Sequence, residues 1–285
     1  MSDQLIVELL KPLYWLLSLF PFDVMKAHFM QRAILTMLLL SPVCAVMGTL
    51  VVQFRMAFFS DAIAHSAFTG IALGLLLNID PRFAMPIFAI ITGIMTMRLK
   101  RAGDLAMDTT LGVVFSATIA LGLAIISAKK CLAKSLPGFL YGDVLAISDG
   151  ELVWMLLLAV VVWVFLLVWY NRLLFMSLHT PLARVHGIPV ERLEIVFATL
   201  LSLTVAFSIR AVGILLVTAL LVIPAATARR LGRSAGSQVW WAISIAIFSS
   251  IAGLATSVSY DTAAGAAMIL WSVAAFGISL WLPAS

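Results

Sequence analysis

The sequence predicts an all-α fold, a polytopic bundle of about nine membrane-spanning helices, with eight to ten compatible with its breaks. Three observations carry this. Of the 285 residues, 63% are hydrophobic and only 11% are Asp, Glu, Lys or Arg. Mean hydropathy is +1.13. The apolar residues fall in runs near the length of about 20 that a helix needs to cross a bilayer core. A soluble domain carries about a quarter charged residues and has too little interior to hide this much apolar surface. Soluble enzymes and disordered chains are therefore excluded.

The spans read in order as 31–53, 60–77, 83–99, 108–127, 151–170, 194–209, 211–228, 239–258 and 264–282. Residues 1–30 form an N-terminal segment and 31–285 a single transmembrane domain. Leu5 to Phe20 is apolar but short and contains Lys11-Pro12, and Tyr14 and Trp15 suit a helix lying at the membrane interface. Asp3 and Glu8 precede the first basic residue, Lys11, which is not the charge order of a cleaved signal peptide. Cys44 lies in an apolar run and Cys131 in a loop, so no disulfide is expected.

Orientation follows from Lys and Arg, which accumulate on the cytoplasmic side. One set of alternate loops holds Arg55, Arg98, Lys100, Arg101, Arg172, Arg184, Arg192, Arg229, Arg230 and Arg233. The other holds Arg82, Lys129, Lys130, Lys134 and Arg210. Ten against five places the first set, and the C-terminus, in the cytoplasm. The lysines at 129–134 run against the rule. The net charge of +5 marks these loops rather than nucleic-acid binding.

Asp61 and His65 stand out in FFSDAIAHSAFTGIALGLLL. Ionisable groups within a span are costly and are usually functional. Four residues apart on a helix, they share a face and offer one oxygen and one nitrogen to a divalent metal such as zinc, manganese or iron. Two copies face to face would supply the four ligands of a tetrahedral ion. The plainer alternative is an Asp–His bond that fixes packing. Asp108, at a helix start, reads as a macrodipole partner. Asp80, Asp143, Asp149, Glu151 and Asp261 lie on the outer side, where Asp143 and Asp261 are candidates for a cation entrance. His179 and His186 read as loop histidines. Gly70 and Gly74 form a GxxxG pair read as helix packing. The segment PAATARRLGRSAG, with Pro224, Ala225, Thr227, Arg229 and Arg230, reads as a helix end that anchors the cytoplasmic side or docks a cytoplasmic partner. Gly-Lys never occurs, so the chain has no Walker A loop to cradle phosphates.

The stretches FRMAFFSDAIAHSAFTGIALG, MDTTLGVVFSA, LYGDVLAIS, GILLVTALLVIPAATARR and YDTAAG occur in one order between about Val51 and Trp271. In these the chain resembles the permeases of metal-cation ATP-binding-cassette importers, which take up zinc, manganese or iron, and among them most the zinc-uptake permeases of Gram-negative bacteria. The resemblance implies a multi-pass protein of the bacterial inner membrane that is not itself an enzyme. It implies a permease homodimer, two cytoplasmic ATPase subunits and an extracytoplasmic metal-binding protein, with zinc as cargo and no permanently bound cofactor. The family's Asp-x-x-x-His matches Asp61 and His65, implied to contact the metal. The family's PAATAR segment matches Pro224 to Arg229, implied to contact the ATPase. The family's Asp-x-Pro-x-Gly-Pro is here Asp261-Thr-Ala-Ala-Gly265-Ala266, without either proline. Two other classes stay open, an ion-coupled secondary carrier and a membrane scaffold or sensor; against the carrier, no internal repeat duplicates the Asp61–His65 pair.

Overall fold

The computed structural model describes residues 28–103, 105–128, 144 and 147–281, apart from the side chains of Arg210 and Leu215. These residues form ten helices: α1 (His28–Gln53), α2 (Ala57–Leu77), α3 (Pro81–Ala102), α4 (Met107–Ala128), α5 (Asp149–Leu178), α6 (Thr180–Val185), α7 (Val190–Val212), α8 (Ile214–Leu231), α9 (Ala235–Tyr260) and α10 (Ala264–Trp281). Each of the nine expected spans corresponds to one of them, and α6 is a short extra turn of helix. Eight of the helices are long and apolar enough to cross a membrane. The eighteen-residue α8 lies among them at the centre, packed on α1, α9 and α10. The chain is a multi-pass membrane protein. Lys129, Lys130, Cys131, Lys134, Asp143 and the segment 1–27 lie outside the described residues; the helix expected to start at residue 31 begins at His28.

Local chemistry sets the helix ends. Asp80 caps α3 by accepting from the Arg82 amide at 2.8 Å, and Pro81 takes the first helical position, where a missing N–H costs nothing. Ser148 and Glu151 close a capping box at the start of α5, and Ser234 and Ser237 another at the start of α9. Asp261 ends α9 in the left-handed region, φ 51°, its amide donating to the Ser257 carbonyl.

Two ends of the bundle are distinct. At one, Arg32 of α1 pairs in bidentate fashion with Asp149 of α5, both contacts at 2.7 Å. At the other, Gln53 bonds Gln238, and Arg101 at the end of α3 bonds Glu194 of α7 at 2.8 Å. The second end gathers Arg55, Arg98, Lys100, Arg172, Arg184, Arg192, Arg229 and Arg233, so it is the cytoplasmic end by its excess of basic residues.

The break between α7 and α8 is a single residue. Gly213 adopts φ 82°, a conformation open to glycine and costly for most others. Ile209, Ala211, Val212, Ile214 and Leu216 around it are buried. From this buried apex, α7 descends along α3 and α2 while α8 descends along α1, α9 and α10. The expected turn at Arg210 thus falls three residues later, at the glycine. The long apolar run after Asp149 continues past the expected end at 170, making α5 thirty residues. Arg172 stays compatible with that helix by laying its guanidinium over the Trp169 ring, 4.6 Å from the centroid.

Small residues set the closest contacts. A Cβ at Gly70 would lie 2.8 Å from the Phe88 Cβ, and one at Gly74 2.6 Å from the Ala84 Cβ, so the GxxxG pair seats α2 on α3.

Candidate metal path and its surroundings

Helix α2 starts after a tight turn in which Arg55 takes φ 56°. Ser60, Ser66 and Thr69 of α2 point inward and are buried, whereas Asp61 and His65 stand on the half-exposed face. The buried hydroxyls bond to backbone carbonyls, which removes their cost in an apolar interior. Ser66 returns to the Ile63 carbonyl at 2.8 Å, and Thr69 crosses to the Thr118 carbonyl of α4 at 2.6 Å. The second bond ties α2 to α4 one turn above His65.

The pair has the geometry that its spacing predicts. His65 Nε2 and Asp61 Oδ1 are 3.7 Å apart, with side chains 35% and 38% exposed. That gap exceeds hydrogen-bond distance. An ion held about 2.0–2.1 Å from each atom spans it at roughly 130°, so a modest rotamer change reaches a tetrahedral angle. The His65 ring sits edge-on to Phe115 of α4, with centroids 5.2 Å apart, which fixes its plane. Among the described residues no group of three or more His, Cys, Asp or Glu is close enough to hold an ion. The described residues thus set one carboxylate and one imidazole side by side on an open face.

Asp61 also lines a cavity of about 280 Å³ with Phe58, Ala62, Asp108, Leu111, Gly112 and Phe115. Sequence alone assigns Asp108 to a helix dipole, and it does stand in the first turn of α4. It also faces the same cavity as Asp61, so a second carboxylate shares that space. No local signal reveals this, because the two lie on different helices. A parallel α2–α4 pairing, had it been known, would have found it.

The other candidates sort differently. Asp261 is exposed at the outer turn and caps α9, and Asp143 lies outside the described residues. Asp149 is paired with Arg32, Glu151 closes the capping box and Asp80 caps α3, so these outer acids have structural partners. In the cytoplasmic loop, His179 Nδ1 accepts from the Leu182 amide at 3.3 Å, and His186 Nδ1 bonds the Leu182 carbonyl at 2.9 Å. Both histidines shape α6. Within the PAATAR segment, Pro224, Ala225 and Thr227 are buried. The following Ala228 packs with Ala45, Ala242 and Ala246. Thr227 Oγ1 donates to the Ile223 carbonyl at 2.8 Å. Only Arg229 is exposed, with Arg230 half-buried beside it. The buried part fixes the end of α8, and Arg229, Arg233 and Ser234 face outward.

Comparison with known proteins bears on this arrangement. Residues 26–283 match the family model described as the ABC 3 transport family. The chain is 36% identical over 249 residues to the high-affinity zinc uptake system membrane protein ZnuB of Haemophilus influenzae, covering 87% of this chain and 95% of that one. It is 28% identical to the manganese transport system membrane protein MntC of Halalkalibacterium halodurans, covering 92% and 90%. The solved structure of PsaBC from Streptococcus pneumoniae superposes with a TM-score of 0.79 at 25% identity, covering 99% of this chain and 96% of that chain. With the family model spanning nearly the whole helical bundle, the chain belongs to the ABC 3 transport family of membrane permeases.

Proposed function

We propose that this chain is the membrane-spanning subunit of an importer that moves a divalent metal cation, zinc, across the bacterial inner membrane into the cytoplasm. The observation that carries the reading is the Asp61–His65 pair, two hard-to-borderline ligands on a half-open helix face within a permease bundle. Zinc is favoured over manganese or iron because the relative at 36% identity is named as a zinc uptake protein, whereas relatives named for manganese or iron stand at 28% to 31%. Both ligand types suit zinc.

Two chains related by a twofold axis bring two such pairs together and complete four ligands. Cytoplasmic ATPase subunits supply the energy, since this sequence has no Walker A loop. They dock near Arg229 and Arg230 and the turn that follows. An extracytoplasmic binding protein delivers the ion at the outer mouth, with Asp143 and Asp261 drawing cations towards it. The ion trades hydration waters for the Asp61 carboxylate and the His65 imidazole. A site that conducts must bind weakly enough to release. A half-exposed two-ligand face meets that need, unlike a closed thiolate cage. Asp108, in the same cavity as Asp61, offers the next oxygen on the way to the cytoplasmic end.

The test is ATP hydrolysis by the complex in lipid, with its binding protein charged in turn with zinc, manganese and iron. Stimulation is expected to be strongest with zinc. Equal or greater stimulation by manganese would overturn the cargo assignment.

A further inference from the structure

A second cavity, about 610 Å³, opens between α3 and α5 and is backed by α7. It is no part of the metal path. Its walls are Phe83, Ile87 and Ile90 on α3, Trp154, Leu157 and Val161 on α5, and Leu200, Leu203 and Phe207 on α7. Polar groups occur at one end alone: Asp80, Arg82, Ser148 and Glu151. That is the outer end of the bundle, where Arg32 pairs with Asp149. Trp154, 57% exposed, stands one turn below this rim, the depth at which tryptophan marks a membrane interface.

The dimensions select the occupant. Both walls run eleven residues, or ten helical steps, from Asp80 to Ile90 and from Glu151 to Val161. At the helical rise this is about 15 Å, half of a hydrocarbon core about 30 Å thick. The groove therefore spans one leaflet and ends near the midplane. Its volume falls in the range of about 300–1,000 Å³ that holds a single small ligand. A helix about 10 Å across would need roughly twice that volume over this depth. A metal ion would find no ligand among the apolar walls.

The rim's charges match a headgroup. Arg82 is exposed and presents a guanidinium suited to a phosphate. The same rim carries two carboxylates held in place, Asp80 by the Arg82 amide and Glu151 by the Ser148 amide at 3.1 Å. Among the described rim residues one cation accompanies two anions, which favours a headgroup that carries both a phosphate and a primary ammonium. It disfavours one that is only anionic.

We propose that this groove seats an acyl chain of an outer-leaflet phosphatidylethanolamine, with its phosphate on Arg82 and its ammonium between Asp80 and Glu151. The lipid fills the space between α3 and α5, two helices that both pack on α7. It thereby props the outer half of α3 against the rest of the bundle.

The test uses the full-length permease in nanodiscs of equal phosphatidylethanolamine and phosphatidylglycerol, stripped with detergent, with the retained lipids measured by mass spectrometry. Wild type is expected to keep one phosphatidylethanolamine per chain in preference to phosphatidylglycerol. Ile87→Trp, on an already exposed wall position, is expected to displace it. Arg82→Gln, which removes a charge-assisted hydrogen bond, is expected to lower retention about tenfold. Size-exclusion profiles confirm that both variants remain folded. Absence of retained lipid in wild type, preference for phosphatidylglycerol, or unchanged retention in the folded Ile87→Trp protein would each overturn the assignment.

Discussion

The seam where α1, α8 and α9 meet and the face shared by α2 and α4 are built from the same sparse supply of polar residues, to opposite ends. At the seam every close approach is made by small groups. Ala45, Ala228, Ala242 and Ala246 pack together, and the Ser41 and Ser250 hydroxyls bond each other at 2.7 Å. A Cβ placed at Gly48 would run into the Leu221 carbonyl. On the α2–α4 face, Asp61 and His65 stand 3.7 Å apart and about a third exposed, with bonding capacity left over. Polar groups that satisfy each other seal a membrane protein. Those held just short of doing so can serve an ion.

The sharpest way to break this comparison is to cut each region separately. Asp61→Ala or His65→Ala removes one of the two proposed ligands. Loss of a supporting group outside the ligand shell already costs 10–100-fold in metal affinity at typical sites, so uptake is expected to fall by about 100-fold or more. The protein should still assemble, because neither side chain fills the core. Metal accumulation in cells, normalised to permease in the membrane, checks this.

Gly48→Val should do the reverse. The added carbons force α1 off α8, an overpacking cost of about 1–3 kcal/mol. Thermal stability and the amount of folded protein are expected to drop, with uptake per folded molecule retained where the complex survives. A stable Gly48→Val protein would show that the seam tolerates separation.

Smallest is Arg229→Glu. An exposed charge contributes modestly to any contact, so affinity for the ATPase subunit is expected to weaken by about threefold to tenfold, measured by titration of the purified subunits. No change would move the docking surface away from the end of α8.

The helices were legible because lipid makes a simple demand on sequence. Long apolar runs found nine of the helices, eight of them long and apolar enough to cross a membrane, and spacing alone put Asp61 and His65 on one face, as α2 shows. What stayed hidden depends on neighbours far along the chain. Asp108 shares the Asp61 cavity across 47 residues, and Arg32 reaches Asp149 across 117. No periodicity encodes either meeting. Pro224, Ala225 and Thr227 belong to a segment that reads as a helix end, and their burial within the bundle follows from packing that no local pattern encodes. The end of α5 was misjudged for another reason: Arg172 looked like a boundary, but a guanidinium stacked on Trp169 lets the helix run on. The turn at Gly213 was displaced from Arg210 because backbone freedom outweighed the polarity of a nearby side chain.

The central claim is that Asp61 and His65 touch the ion in transit. The direct measurement is zinc flux into proteoliposomes carrying the complete complex, wild type against His65→Ala and Asp61→Ala, with ATP turnover recorded in the same vesicles. The account predicts that zinc flux is lost in both variants while the complex remains intact and still hydrolyses ATP. Zinc flux at the wild-type rate in both would contradict it.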